Sequence, residues 1–153
     1  MPPFVFGLDY RITRGRLSDA GAIARIEADV FPEPLSRRAV AAKMLHPGTR
    51  YVVARHPEGL AGYFGFEIHG PTAHVIANAT AAAHRRKGLA TVLVHAGQRI
   101  ARAGGARWFL GEVRRSNGLQ LEILAKLGWR HIGWSRGFFG NGEDAAVVWL
   151  PLI

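Results

Sequence analysis

Arg85, Arg86 and Lys87 precede Gly88-Leu89-Ala90 at a junction between two predicted elements. A strand ending near Thr80 hands over, through Ala81 to His84, to a strongly amphipathic helix. A glycine there lets the backbone turn tightly, and the first N–H groups of a helix have no intrahelical acceptor. The helix dipole adds partial positive charge at the same point, so three cations stacked beside it are unfavourable unless they hold an anion. The segment reads as a site for phosphate or pyrophosphate. It is neither the glycine-lysine-serine/threonine phosphate loop nor a Gly-x-Gly-x-x-Gly turn, which speaks against a nucleoside triphosphatase or an ordinary dehydrogenase.

Glu112 interrupts the apolar run Trp108-Phe109-Leu110-Gly111-Glu112-Val113, where strand propensity disfavours an acid. Alternation sets it on the face of Trp108 and Leu110. On a partly buried face its carboxyl would become more basic and could take a proton; on an edge it would pair with an arginine. Read alone, the residue fits both. Ser116-Asn117 reads as a helix cap, and Phe138-Phe139 as cover for the core or a pocket. Seven histidines show no metal-binding spacing; His69 and His74 flank a turn and read as surface or cross-strand residues. No metal is expected.

These residues must be positioned by a mixed set of elements. A strand over Tyr10–Arg14 is followed by a helix capped at Ser18 or Asp19, with Ile23, Ile26 and Val30 at helical spacing. Phe31-Pro32-Glu33-Pro34 stops it, and Ser36 caps a second helix carrying Val40 and Met44. Strands are predicted over Tyr51–Arg55, Leu60–His69 and Ala73–Thr80, then the helix Leu89–Ala103. A strand over Arg107–Arg114, a helix from Asn117 to Leu127, and strands over Trp129–Arg136 and Ala145–Leu150 complete the order, with Asn141-Gly142 as a turn. The expectation is a mixed α/β fold, about seven strands with four helices on both faces, in one domain spanning 1–153.

Composition narrows the class. There is no cysteine among the 153 residues, which excludes disulfides, thiolate metal sites and a cysteine nucleophile. No apolar run reaches membrane-spanning length, and the start Met1-Pro2-Pro3-Phe4-Val5-Phe6 is unlike a secretory signal, so a cytoplasmic protein with no membrane partner is the expectation. A net charge of +9 favours anionic partners without choosing among them; docking on a ribosome or RNA is one option it leaves open.

Together the motifs resemble the GNAT acetyltransferase superfamily, and more narrowly its RimI-like ribosomal-protein alanine N-acetyltransferases. Phe31-Pro32-Glu33-Pro34-Leu35-Ser36 is similar to Phe-Pro-x-Pro-Trp-Ser, and Arg85 to Ala90 fits Gln/Arg-x-x-Gly-x-Gly/Ala. Gly111 to Asn117 looks like Leu-Glu-Val-Arg-x-Ser-Asn. Leu127-Gly128-Trp129 stands for Leu-Gly-Phe, and Arg136 to Ala145 is similar to Arg-x-Tyr-Tyr with a later Glu-Asp-Ala. The resemblance implies acetyl-CoA wedged between the fourth and fifth predicted strands. Backbone groups of Asn78, Ala79 and Thr80 would face its pantetheine. Arg85, Arg86, Lys87, Gly88, Leu89, Ala90 and Thr91 would hold its pyrophosphate, and Asn117 would touch it. Glu112 takes the general-base position, drawing a proton from the incoming ammonium through water.

The same resemblance exposes departures. The family's general-acid tyrosine, seven residues after the asparagine, is here Leu124, which leaves Tyr63 or a water as substitute donors. Leu35, Phe138 and Phe139 replace aromatic walls of the substrate groove. The implied activity is acetyl transfer to a primary amine, foremost the α-amino group of a protein N-terminus, with a ribosomal protein as one substrate. The alternatives are a small amine or polyamine as acceptor, or a catalytically weak acyl-CoA-binding regulatory module.

Overall fold

The computed structural model describes residues 3–152 except Leu8, so Met1 and Pro2 of the predicted uncharged start lie outside the described residues. Eight strands form one sheet: β1 (Phe4–Phe6), β2 (Tyr10–Arg14), β3 (Thr49–His56), β4 (Gly59–His69), β5 (Thr72–Thr80), β6 (Trp108–Arg114), β7 (Arg130–Ser135) and β8 (Ala145–Pro151). Their spatial order is β1-β2-β3-β4-β5-β6-β8-β7. Every neighbouring pair is antiparallel except β5 and β6. The helices are α1 (Ala20–Val30), α2 (Arg37–Met44), α3 (Leu89–Ala103) and α4 (Gly118–Lys126).

The mixed α/β fold expected from the sequence is the one observed, with eight strands where about seven were expected. The additional one, β1, is three residues long, too short to show a period-2 pattern. Phe4 and Phe6 nonetheless pack against the larger core. The start of α1 departs from the expected cap at Ser18 or Asp19. Asp19 occupies the cap position without capping; its carboxylate accepts from the Arg16 N–H at 2.7 Å and from the Arg55 guanidinium at 2.8 Å. Ser36 does cap α2, accepting from the Ala39 N–H at 3.1 Å.

The sheet separates two cores. On one face α3 and α4 cover Phe64, Phe66, Phe109, Val113 and Trp129; on the other α1 and α2 cover Tyr51, Val53 and Tyr63. The apolar stripe read along α3 is the buried one: Leu89, Leu93, Ala96 and Ile100 are within 2% of full burial, while His95, Arg99 and Arg102 face out. The connection β5-α3-β6 is the crossover that two parallel neighbours require. No helix among the described residues is long and apolar enough to cross a membrane.

Candidate active site

The site begins where β5 and β6 part. They pair only over Thr72–His74 against Trp108–Leu110, and beyond that point the two strands have no ladder between them. A bulge in β5 starts the divergence: Val75 opposes Phe66 and Ala77 opposes Gly65, so Ile76 has no partner on β4. Past the bulge, Asn78, Ala79 and Thr80 still pair with Phe64, Tyr63 and Gly62 of β4. Their other edge, toward β6, lacks a strand partner. An edge of unpaired N–H and C=O groups inside a fold invites an extended ligand to complete the ladder. The Asn78 side chain is already engaged, accepting at 3.0 Å from Gln120 of α4.

At the end of β5 the chain passes through a short helical turn, Ala82–His84, into the basic segment. Arg86 has φ +62°, the one positive φ outside glycine among the described residues, and Gly88 has φ +77°. An arginine in the left-handed region is strained by roughly 1–3 kcal/mol, and such strain concentrates at ligand clamps. The N–H groups from Arg86 to Thr91 donate to no acceptor among the described residues; the first helical bond runs from Val92 to the Gly88 carbonyl, at 3.2 Å. Arg85, Arg86, Lys87 and Gly88 are exposed, and among the described residues no carboxylate pairs with these cations; Arg85 donates to the Thr80 carbonyl at 3.3 Å and Lys87 lies over the Tyr10 ring. A cradle of free amides ringed by these cations fits a pyrophosphate.

Glu112, on β6, faces the α1/α2 side, opposite to Phe109 and Val113. Its partner is not the arginine that an edge position would suggest. His74 Nε2 lies 2.8 and 2.9 Å from the two carboxylate oxygens. The hydrogen bond to Glu112 raises the His74 pKa above its usual 6.5; desolvation and Lys43 oppose the rise, and the charges of Glu112 and Glu67 add to it. The carboxylate side chain is 13% exposed and the imidazole 43%, so the pair is reachable from solvent at the histidine. A lone histidine beside a turn gave no hint of this role. The available signal was its place in the strand that runs beside the Glu112 strand, on the same face.

Arg114, two residues beyond Glu112, ties together the loops that flank the cleft. Its guanidinium reaches Glu33 at 2.6 Å in the α1–α2 loop, and Glu143 and Asn141 at 3.1 Å in the β7–β8 loop. It also stacks on the Phe139 ring at 4.0 Å. Gly140 lies so close to Glu33 that a Cβ there would come within 2.3 Å of the carboxylate. Of the expected groove walls, Phe138 is exposed and Phe139 half-buried against Arg114, whereas Leu35 packs onto the α1/α2 core. The Leu35 N–H is held at 3.0 Å by Glu27, a buried carboxylate.

The Asn117 side chain caps α4, as read from the sequence, accepting from the Gln120 N–H at 3.2 Å. Leu124 is buried in the core under α4. Tyr63 is unsuited as a substitute donor: it is fully buried and gives its hydroxyl hydrogen to Glu27. Burial first, and then the Glu27 charge, hold its proton far more tightly than in free tyrosine. No group of histidine and carboxylate side chains among the described residues is arranged to hold a metal.

Known proteins share the sequence pattern and the fold that carry this site. The family model described as "Acetyltransferase (GNAT) family" matches residues 21–129. The chain belongs to the GNAT family of acetyltransferases. It is therefore an acetyl-CoA-dependent N-acetyltransferase. The N-alpha-acetyltransferase of Sulfurisphaera tokodaii is 27% identical over 159 residues, covering 95% of each chain. Among solved structures, the Escherichia coli ribosomal-protein-S18-alanine N-acetyltransferase superposes with a TM-score of 0.84 at 20% identity, covering 94% of each chain. Arabidopsis thaliana NAA60 in complex with acetyl-CoA gives 0.83 at 14% identity over 94% of this chain and 98% of that one. At those identities the likeness to solved structures is one of fold. The cradle and the β5–β6 cleft of this GNAT chain suit the cofactor's pyrophosphate and pantetheine in turn.

Proposed function

We propose that this GNAT protein transfers acetyl to the α-amino group of protein N-termini, with the Glu112–His74 pair as its base. The observation that carries the reading is that pair: a carboxylate with little exposure, bonded through both oxygens to an imidazole, at the point where β5 and β6 separate. The name of the curated relative from Sulfurisphaera tokodaii supports the α-amine as acceptor. A ribosomal protein is one candidate source of that terminus.

An α-amino group has a pKa near ~8, so at neutral pH it arrives mostly as ammonium and must lose a proton before it can attack. The competent base holds Glu112 ionised and His74 neutral. Glu112 takes the ammonium proton, directly or through water, and the exposed imidazole edge lets it pass to solvent. Acetyl-CoA, when bound, would supply the thioester, whose C–S bond would break as the freed amine forms the C–N bond. A thiol pKa near ~8.5 makes the thiolate a tolerable leaving group, which water can protonate without the missing tyrosine. One proton is released per turnover. The α1–α2 and β7–β8 loops joined by Arg114 would orient the peptide.

The test is a panel of acceptors: peptides with free N-termini, the same peptides N-blocked with an internal lysine, and polyamines, each assayed with acetyl-CoA by mass spectrometry. Acetylation confined to free α-amines is expected. Acetylation of polyamines alone would select the small-amine alternative, for which the altered walls Leu35, Phe138 and Phe139 are the motive. Tight acetyl-CoA binding with no turnover on any amine would select the regulatory module.

A further inference from the structure

His74 has a second acidic neighbour that the proposed chemistry does not use. In the β4–β5 ladder Glu67 stands directly opposite His74, and directly opposed side chains in an antiparallel pair sit on one face with Cβ atoms ~5 Å apart. Glu67 is itself held by two histidines: Nδ1 of His46, just past α2, at 3.0 Å from Oε1, and Nε2 of His69 at 3.3 Å from the same oxygen. The carboxylate is 23% exposed while the two imidazoles are 51% and 57% exposed. The groups that face His74 are therefore Glu112 from β6, Glu67 from β4 and Lys43 from α2.

We propose that Glu67 is a positioning residue that sets the proton affinity of His74, its carboxylate kept in place by the His46 and His69 imidazoles. The proposal rests on the reading that His74 and Glu112 form the base. The charges fix the signs. The Glu67 charge favours the His74 imidazolium, which ties Glu112 into an ion pair and lowers the fraction of competent base. A unit charge about 6 Å away through water-like screening changes a protonation equilibrium about threefold.

Glu67→Gln removes the pull, so kcat below the acid limb, taken relative to its plateau, is expected to rise about threefold. The His74 imidazole, followed by NMR, should titrate at lower pH in Glu67→Gln, in step with kcat, whereas Glu67→Asp, which keeps the charge, should stay near the wild-type titration. General damage to the fold would move both variants alike. An unchanged His74 titration in Glu67→Gln would overturn the proposal, as would an NMR shift with no matching shift in kcat. The NMR arm needs no turnover, so it stands apart from the base assignment, which fails separately if Glu112→Gln retains full activity.

Discussion

At the scale of single residues, the pair Glu112–His74 concentrates the chemistry, and its environment divides the labour. The carboxylate is shielded by the sheet face while the imidazole keeps an exposed edge; in the proposed mechanism one group takes the amine proton and the other passes it to water. Because its folded pKa is raised, His74 stabilises the fold chiefly in its charged form. That contribution is complete below its ordinary value near 6.5 and fades as pH rises through the raised one. Replacing His74 with glutamine should lower the urea midpoint more at pH 5.5 than at pH 8.5. A deficit that is constant or grows with pH would contradict this assignment. Tyr63 shows the contrast: a hydroxyl sealed in the core and committed to Glu27 serves structure, orienting the carboxylate that holds the Leu35 backbone.

At the scale of elements, two loops and one turn do the positioning. The turn before α3 depends on Gly88, whose φ of +77° suits glycine; a Cβ would find space, its nearest neighbour being Phe6 at 3.7 Å. The cost of Gly88→Ala is therefore conformational, of order 1 kcal/mol or more, and it falls on the amide cradle. Calorimetry should show acetyl-CoA binding weakened about fivefold or more, with the folded sheet intact; unchanged affinity would remove the turn from the cofactor site. Arg114 holds the α1–α2 and β7–β8 loops together through Glu33, Glu143, Asn141 and Phe139. Arg114→Lys keeps the charge but loses the planar fork. The expected result is a several-fold rise in peptide KM with the acetyl-CoA dissociation constant unchanged. A rise in both would place Arg114 at the cofactor instead.

At the scale of the whole molecule, one sheet opens between β5 and β6 and each face carries its own core, so the opening is held from both sides. Much of this was legible in the sequence. The α3 stripe from Leu89 to Ile100 and the turn at Gly88 follow from local periodicity and helix-end physics, which need no knowledge of distant residues. Glu112 stood out because an acid in an apolar strand is costly. The His74–Glu112 bond was not legible, since it joins residues 38 apart through the parallel alignment of two strands. The Arg114 hub spans 81 residues to Glu33, and the three-residue β1 carries too little pattern to be read. What the sequence hides here is pairing across the sheet.

The most direct test of the central claim is the pH–rate profile of Glu112→Gln alongside its acetyl-CoA affinity. Turnover of peptide α-amines is expected to fall about a hundred- to ten-thousand-fold at neutral pH. The deficit should shrink as pH rises past the pKa of the amine, and cofactor binding should be unaltered. A variant with the wild-type profile would contradict the assignment of Glu112 as the base.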